Sequence, residues 1–214
     1  MFENLLMVAH TGNTPSVFHG EVSAASFITG AELSNQLGFS AGVLATGEIS
    51  WLHFTLDGLK LYVPKRSLRY GLTKTAINSA QLTHGVRTVT IGGRTYKVRL
   101  LKGLGEGVTS ISDLTSDSPV SWGSEWNRLF YPIVAYPTGI SREGIAYGRT
   151  AKYSIEELNF VDNTNGSLVW CAEEPSSGSS ICRGGVSNPA AVNQSLVVWT
   201  ENFRGWRPVL ELVK

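Results

Sequence analysis

The sequence predicts an α+β fold with mixed, mostly antiparallel sheets, short helices and long irregular loops, and three observations lead to this prediction. Two pairs of apolar runs each surround a tight turn, which is the pattern of a β-hairpin. Segments with the apolar spacing of a helix are few and short. The 214 residues include 23 Gly, 8 Pro and 40 Ser or Thr, a loop-rich composition that argues against a helical bundle.

The N-terminal part, residues 1–47, mixes short apolar stretches with Gly, Ser, Thr and Asn. We interpret it as an extended arm or docking segment that contains one short helix at residues 30–37. The main domain then spans residues 48–214 and is expected to hold two further short helices. A domain of this size can bury a core without the help of a metal or a disulfide.

The first hairpin begins directly after the arm. Apolar-rich runs at residues 51–56 and 59–63 flank Asp57 and Gly58. An Asp-Gly pair between two such runs is a strong hairpin signal.

A short helix and a second hairpin follow. Thr73 is a suitable N-cap, and the apolar spacing after it predicts a helix over residues 74–82. Apolar and polar side chains then alternate in residues 87–91 and 94–101, on either side of Gly92 and Gly93. This alternation predicts two paired strands.

The C-terminal half has weaker periodicity, so the elements expected there are short. Ser121 is the expected cap of a helix at residues 125–130, which Pro132 ends. Residues 133–172 are expected to be irregular with short strands. The remaining segments, in chain order, are a surface loop at 103–120, a flexible loop at 173–180, and strands at 196–200 and 206–213.

Charge and hydropathy exclude two classes of partner. The formal net charge is +1, from 18 basic and 17 acidic residues, with no run of Lys or Arg. Nucleic-acid binders carry a basic patch, so we expect no nucleic-acid partner. No segment approaches 18 consecutive apolar residues, and the first residues do not resemble a signal peptide. We therefore expect that the chain is made in the cytoplasm and is not inserted into a membrane.

No motif indicates a catalytic centre, a cofactor or a metal. The dinucleotide, P-loop, nucleophile-elbow, zinc-protease and EF-hand patterns are all absent, so no catalytic residue is assigned. His53 lies in an apolar run and fits a structural role better than catalysis. Cys171 and Cys182 are the only cysteines, and no suitably spaced His accompanies them for zinc. Two free thiols and one disulfide both remain open.

A binding surface is expected in the loops between Glu173 and Phe203. The adjacent carboxylates of Glu173 and Glu174 could accept hydrogen bonds from sugar hydroxyls or ligate calcium, whereas a solvated acidic turn is the simpler interpretation. Of the six Trp residues, Trp199 is the first candidate for an exposed stacking surface because polar residues follow it. The other candidate contacts are Asn188, Asn193, Gln194, Glu201, Asn202 and Phe203.

Several short sequence motifs, which we call the matching words, occur in a fixed order over residues 49–214. They are the first hairpin around Asp57-Gly58, TVTIGGRTYKVRLL at 88–101, GSEWNRL at 123–129, Trp170-Cys171, Arg183-Gly184-Gly185 and GWRPVLEL at 205–212. Together they resemble the C-type-lectin-like domain at the carboxy end of bacteriophage tail and fibre proteins. The last two words are similar, more distantly, to the ending of the formylglycine-generating-enzyme branch of that fold.

This resemblance implies a compact core whose irregular loops display a binding surface. Neither the active-site motif around the cysteine pair of the formylglycine branch nor the calcium and sugar motifs of the lectins is matched here, so neither activity is carried over. The residues of the matching words are expected to hold the core together. They are Trp126, Arg128, Trp170, Arg183, Gly184, Gly185, Trp206 and Arg207.

We therefore expect a phage virion protein, a tail or tail-fibre component that binds a host-surface glycan or protein. Residues 1–47 are expected to contact other virion proteins within a larger oligomeric assembly. A capsid decoration or head fibre is the first alternative. An enzyme, of the sulfatase-modifying type or a glycan hydrolase, is the second, and no pair of carboxylates stands out for the hydrolase.

Overall fold

The structure is a computed structural model that describes residues 16–108, 119–135, 152–185, 188–189 and 191–213. It confirms the α+β class with mostly antiparallel sheets and short helices. The strands in chain order are β1 (Val17–Val22), β2 (Val43–Leu44), β3 (Trp51–Leu56), β4 (Leu59–Pro64), β5 (Arg69–Tyr70), β6 (His84–Ile91), β7 (Arg94–Arg99), β8 (Val134–Ala135), β9 (Tyr153–Ser154), β10 (Leu168–Trp170), β11 (Ser179–Gly184), β12 (Val192–Leu196), β13 (Arg204–Trp206) and β14 (Val209–Leu212).

Two six-stranded sheets organise the described chain. The first has the strand order β1-β3-β4-β14-β7-β6, and the second has the order β12-β11-β10-β13-β5-β2. All neighbours are antiparallel except β10 and β13, and a separate small pair is formed by β8 and β9 in parallel. The consecutive strands β13 and β14 lie in the interior of different sheets, so the chain passes from one sheet to the other between them.

The three α-helices begin at capping residues that the sequence carries. Helix α1 (Gly30–Leu37) lies where predicted, with Thr29 and Glu32 forming a capping box. Helix α2 (Lys74–Ser79) begins after Thr73 as expected but ends three residues earlier than predicted. Helix α3 (Glu125–Phe130) has the predicted bounds.

The cap of α3 differs from the prediction. Ser124, not Ser121, accepts the hydrogen bond from the backbone N–H of Asn127. Ser121 ends a separate 3-10 turn, Pro119–Ser121. Its carbonyl and hydroxyl both accept from the Asn127 side chain.

Both predicted hairpins are confirmed, and the backbone explains the turn residues. Asp57 and Gly58 have φ values of 49° and 75°, and Gly92 and Gly93 have φ values of 54° and 74°. Two consecutive positive φ values define the tight turns that match the twist of paired strands, and Asp-Gly and Gly-Gly adopt them readily.

The strands predicted near the C-terminal end are displaced. Residues 196–200 were expected to form a strand, but β12 ends at Leu196 and the chain turns there. The strand expected at 206–213 is divided into β13 and β14 by Arg207 and Pro208. Proline lacks the N–H that a ladder requires, so the pairing breaks where it stands.

The predicted flexible loop at 173–180 is smaller than expected. An isolated bridge joins Ser176 to Ser179, and β11 already begins at Ser179. The loop is therefore the connection of the β10–β11 hairpin. Residues 109–118 of the predicted surface loop and residues 136–151 of the predicted irregular region lie outside the described residues.

The predicted arm, residues 1–47, does not stand apart from the main body over its described part. Strand β1 pairs with β3, and β2 pairs with β5. Leu33 and Leu37 of α1 are buried in the core. The boundary expected at residue 47 therefore does not coincide with a boundary of the fold, and residues 1–15 lie outside the described part of the chain.

The hydrophobic core has two clusters, and each sheet turns one face to each of them. In β3, Leu52 and Phe54 pack in the first cluster while Trp51 packs in the second, because side chains alternate along a strand. The first cluster is completed by α3, and the second by α1 and α2.

The fully buried Arg207 lies between the two sheets and the segment before Phe160. Its guanidinium donates to the carbonyl oxygens of Pro64 at 2.7 Å, Lys65 at 2.5 Å and Leu158 at 3.3 Å. It also stacks on Phe130, with 4.4 Å to the ring centroid. Burial lowers the pKa of Arg207. The residue thus joins the segment at Pro64 and Lys65 to the segment at Leu158.

The buried Arg183 has a similar role beside α3. It donates to the carbonyl oxygen of Gly103 at 2.7 Å and to Oδ1 of Asn127 at 2.5 Å. Its guanidinium lies over the Trp126 ring, 5.7 Å from the centroid. Gly184 follows at φ 79°, and a Cβ there would lie 2.8 Å from the carbonyl oxygen of Ser167. Only glycine fits both the conformation and the space.

The other residues of the matching words also lie in or beside the core. Trp126 and Trp170 are buried, and their indole N–H groups donate to the carbonyl oxygens of Pro189 and Leu72. Trp206 is buried against Phe39, and Gly185 is buried with a φ of 68°. Arg128 forms a bidentate ion pair with Asp57 in the first hairpin turn, at 2.5 and 2.7 Å.

Cys171 and Cys182 are free thiols on opposite faces of the second sheet. Trp170 lies opposite Cys182 in the β10–β11 pair, so the next residue, Cys171, points to the other face. Cys171 packs in the first cluster and Cys182 in the second. Burial raises the pKa of Cys171 well above its usual value and that of Cys182 to about 12. The disulfide alternative is therefore not what the structure contains.

His53 gives the fold an acid-sensitive point. Its ring lies between those of His19 and Tyr62, with centroids 4.6 and 4.5 Å away. Its buried Nε2 has no partner among the described residues. Burial lowers the pKa of His53 from its ordinary value of 6.5, and the neighbouring His19 and Lys60 lower it further. The folded state therefore binds fewer protons here than the unfolded state.

We expect stability to fall as the pH drops below about 6.5, because protonation then favours the unfolded chain. His53→Gln should flatten this dependence, measured as the difference in melting temperature between about pH 7.5 and about pH 5. His84→Gln, at an exposed histidine, is the matched control and should keep the wild-type difference. An equal difference in all three proteins would contradict the assignment to His53.

Candidate functional site

Helix α2 connects two surface features that together form the candidate site. The ammonium of Lys74, at its first residue, is fully buried and donates to the carbonyl oxygens of Cys171 and Ala172. The N–H of Thr75 donates to the carbonyl oxygen of Val197 at 3.2 Å. The helix therefore fixes the start of the β10–β11 connection and the turn after β12. Its six residues span about 9 Å.

The first feature is an open groove of about 480 Å³ beside the C-terminal end of α2, which we call the polar groove. Its walls come from α2, from the start of β6 and from the β10–β11 connection. The lining residues are Asn78, Gln81, Thr83, His84, Val86, Ala172, Glu173 and Glu174.

The two predicted carboxylates occupy different positions in the polar groove. Both oxygens of Glu173 accept backbone hydrogen bonds, from the N–H of Gly103 at 3.0 Å and of Leu104 at 3.1 Å. Glu174 is exposed; one oxygen accepts from the Asn78 amide at 2.5 Å and lies 4.0 Å from the ammonium of Lys74. Glu173 therefore fastens the backbone, and Glu174 is the carboxylate that can meet a ligand.

The second feature is a run of exposed apolar side chains directly after β12. Six large hydrophobic side chains are exposed among the described residues, and three of them lie here: Leu196 at 47%, Val198 at 63% and Trp199 at 41%. We call these three residues the apolar ridge. Clustered exposed apolar side chains are unusual on a monomer and mark interaction surfaces.

Arg204 holds the Trp199 ring in place. Its guanidinium lies 4.7 Å from the centroid of Trp199 and 5.1 Å from that of the buried Trp170. Its Nε donates to Glu201 at 2.5 Å. Burial acts to raise the pKa of Glu201, but the hydrogen bond from Arg204, a backbone hydrogen bond and the charge of Arg204 together lower it. The exposed ring is thus pre-positioned, which reduces the entropy cost of binding.

The structure brings only part of the predicted binding surface together. Four of the predicted residues lie close to one another in the sequence, just before Arg204: Trp199, Glu201, Asn202 and Phe203. The Arg204 guanidinium lies 5.3 Å from the centroid of the Phe203 ring. The carbonyl oxygen of Asn202 accepts from the Gly166 N–H.

The remaining predicted residues lie apart from this group. Asn193 and Gln194 are on β12, where Gln194 donates to the hydroxyls of Ser176 and Ser179. Asn188 is half-buried, and its N–H donates to the Gly185 carbonyl oxygen. Glu173 and Glu174 belong to the polar groove on the other side of α2.

Several site residues were missed by the sequence reasoning. Asn78, Gln81, Thr83 and His84 belong to the groove wall, but only the packing of α2 against the β10–β11 connection brings them near Glu174. Leu196 and Val198 were assigned to a strand because of their apolar character. The absence of charge between Arg183 and Glu201 was the available signal that this stretch differs from an ordinary surface.

A second open cavity, of about 390 Å³, lies between α1 and the second hairpin turn. The residues that line it include Phe27, Glu32 and Ile91, and none of the predicted site residues is among them.

In the described ranges no three His, Cys, Asp or Glu side chains are grouped as they would be to hold a metal ion.

Two further findings concern membranes and relatives. None of the helices in the described part of the chain has the length and apolar character needed to cross a bilayer. Comparisons with protein-family models, with curated proteins and with solved structures found no match to this chain.

Proposed function

We propose that the chain is a binding module of a phage virion, a tail or tail-fibre component that attaches to a host-surface glycan or protein. The observation that carries this proposal is the apolar ridge with its Trp199 ring held over Arg204. A flat aromatic face beside carboxylate and amide groups suits sugar rings and protein surfaces alike. The polar groove, at the other end of α2, offers a second set of contacts.

The resemblance to the C-type-lectin-like domain of phage tail and fibre proteins supports the same proposal. The matching words contribute Arg183, Trp206 and Arg207, which are all buried. Such a rigid interior beneath irregular loops is what a display scaffold needs. We place contacts to neighbouring virion proteins, within a larger assembly, in residues 1–47.

The two alternatives differ in what supports them. A capsid decoration or head fibre would use the same surface, and electron microscopy of labelled particles separates it from a tail position. The sulfatase-modifying alternative would need a reactive thiolate. Cys171 and Cys182 are fully buried on opposite sheet faces, and burial raises the pKa of both thiols, which weighs against that chemistry.

The test is adsorption of particles that carry Trp199→Ala. We expect adsorption to host cells to weaken by about 30-fold or more, because a central aromatic residue contributes about 2 kcal/mol or more to such interfaces. Val213→Ala removes a similarly exposed apolar side chain, 40% accessible, from the residue after β14 and serves as control. Normal adsorption by the Trp199 variant would refute the ridge as the attachment surface.

A further inference from the structure

We propose that one face of the first sheet binds an acidic polysaccharide. The residues of this surface, which we call the basic face, are His19, His53, Lys60, Tyr62 and Arg94. The proposal goes beyond the apolar ridge, because it assigns a second surface and gives it a ligand class. It rests on the register of the strands, on a row of stacked rings and on the charges around that row.

The register of the first hairpin places four side chains on one face of the sheet. His53 pairs with Tyr62, and Thr55 pairs with Lys60. Paired residues share a face, and so do residues two apart along a strand. Trp51, two residues before His53, is buried in the second cluster. His53 and Tyr62 are half-buried and Lys60 is exposed, so the cover over this face ends before Lys60.

A row of four stacked rings crosses this face. The His53 ring lies between those of His19 and Tyr62, with centroids 4.6 and 4.5 Å away. Tyr62 stacks in turn on Phe27, with 4.5 Å between the centroids. Nε2 of His19 lies 2.8 Å from the Thr55 hydroxyl. The rings therefore hold one another in position before a ligand arrives, which reduces the entropy cost of binding.

Arg94 extends the basic face to the second hairpin. Strand β14 separates β4 from β7, and Tyr96 follows two residues after Arg94 on β7. Burial and Tyr62 raise the pKa of Tyr96, whereas the charge of Arg94 and a hydrogen bond from it act against this rise. The Arg94 side chain therefore lies at the Tyr96 hydroxyl. From the register with β14, the strand spacing and the rise per residue, the Cα atoms of Lys60 and Arg94 are about 12 Å apart.

The charged groups beside the stacked rings are cations. Burial lowers the pKa of His53, and the charges that lower it further belong to His19 and Lys60. In the described part of the chain, no carboxylate is among the groups that shift the pKa of His53 or Tyr96. Glu32 lines the adjacent cavity, but its Oε2 already caps helix α1. An anionic ligand can therefore approach His53 and Lys60 without meeting a carboxylate there.

The stretch of chain that supplies these cations is strongly basic. No Asp or Glu occurs between Asp57 and Glu106, whereas Lys and Arg together occur ten times. Several of these cations are bonded inside the protein, but Lys60 and Arg94 are exposed. Neither of the two forms an ion pair with another described residue. Their charges are therefore available to a ligand.

An acidic polysaccharide matches the basic face in three respects. Its carboxylates or phosphates meet the cations of Lys60 and Arg94. Its hydroxyls meet the Tyr62 hydroxyl and the imidazole nitrogens, which can donate and accept. Its ring C–H groups contact the apolar parts of the stacked rings. A nucleic-acid ligand is disfavoured, because such binders neutralise about 6–10 phosphates and this face offers fewer cations.

The test measures binding of the full chain to oligogalacturonate and to a phosphorylated oligomannose by isothermal titration calorimetry. We expect Lys60→Gln and Arg94→Gln each to weaken binding of the tighter acidic sugar by about 5-fold or more, because a hydrogen bond to a charged group is lost. Neutral oligogalactose should bind more weakly by a similar factor. Arg66→Gln is the matched control: Arg66 is exposed beyond the other end of β4, and its loss should leave the affinity unchanged.

Equal losses in Lys60→Gln and Arg66→Gln would show that binding follows the overall charge, and would overturn the proposal. Absence of binding to both acidic sugars would do the same, and so would tighter binding of single-stranded DNA. These outcomes are separate from a failure of the apolar ridge, which is tested by adsorption of particles with Trp199→Ala. Adsorption that depends on Trp199, together with no binding of acidic sugars by the purified chain, would refute only the basic face.

Discussion

Arg207→Ala is expected to lower the free energy of unfolding by about 4 kcal/mol, the largest effect of any single substitution considered for this chain. The guanidinium satisfies the carbonyl oxygens of Pro64, Lys65 and Leu158. Its removal leaves these three acceptors buried without that donor and opens a cavity beside Phe130 and Phe160. For a chain of this length, the melting temperature should fall by about 10 °C.

Denaturant unfolding of Arg207→Ala and of Arg66→Ala measures this effect against a matched control. Arg66 is exposed, so its loss should change stability by no more than about 0.5 kcal/mol. Arg207→Lys should fall between wild type and Arg207→Ala, because one ammonium cannot reach three separate carbonyl groups in the geometry of a planar guanidinium. Equal stability of the two alanine variants would show that Arg207 does not join these segments.

Gly205→Ala is expected to destabilise the fold by about 3 kcal/mol through overpacking. A Cβ on Gly205 would lie 2.2 Å from the hydroxyl oxygen of Ser67 and 2.7 Å from the carbonyl oxygen of Gly166. The Ser67 hydroxyl already donates to that carbonyl at 2.6 Å, so it has little freedom to move. Strand β13 would be pushed out of the centre of its sheet.

A double-mutant cycle isolates this steric conflict. Ser67→Gly alone removes one hydrogen bond, and Ser67→Gly with Gly205→Ala removes the closest clash while the contact to Gly166 remains. We therefore expect the double variant to be more stable than the sum of the single losses predicts. Strict additivity in chemical unfolding would count against close packing at Gly205.

The elements that the sequence predicts well are those encoded within a few residues. The hairpin turn at Asp57-Gly58 and the caps at Thr29 and Thr73 act locally, so their strands and helices begin near the expected positions. The strand break at Pro208 was missed because apolar residues continue on both sides of it. The position of β1 depends on its pairing with β3. Strand β3 begins at Trp51, 34 residues after β1 begins at Val17, and no local sequence signal encodes so distant a partner.

The candidate site was predictable to a similar degree. Trp199 and Glu174 were found from residue type and polar surroundings, and both are exposed as expected of contact residues. The residues that position them were not found. Lys74 and Arg204 are cations in ordinary sequence contexts, and only the fold buries them against backbone carbonyls and aromatic rings.

The passage of the chain from β13 to β14 has a consequence for biosynthesis. Strand β13 separates β10 from β5, and β14 separates β4 from β7, so neither sheet can close before residues 204–212 leave the ribosome. Until then, β10 and β5 lack the strand between them, and so do β4 and β7. A nascent chain with such unpaired strands is prone to association with other chains. Folding should accordingly be slow and should wait until residues 204–212 are available, as expected for a topology that relies on distant strand pairing.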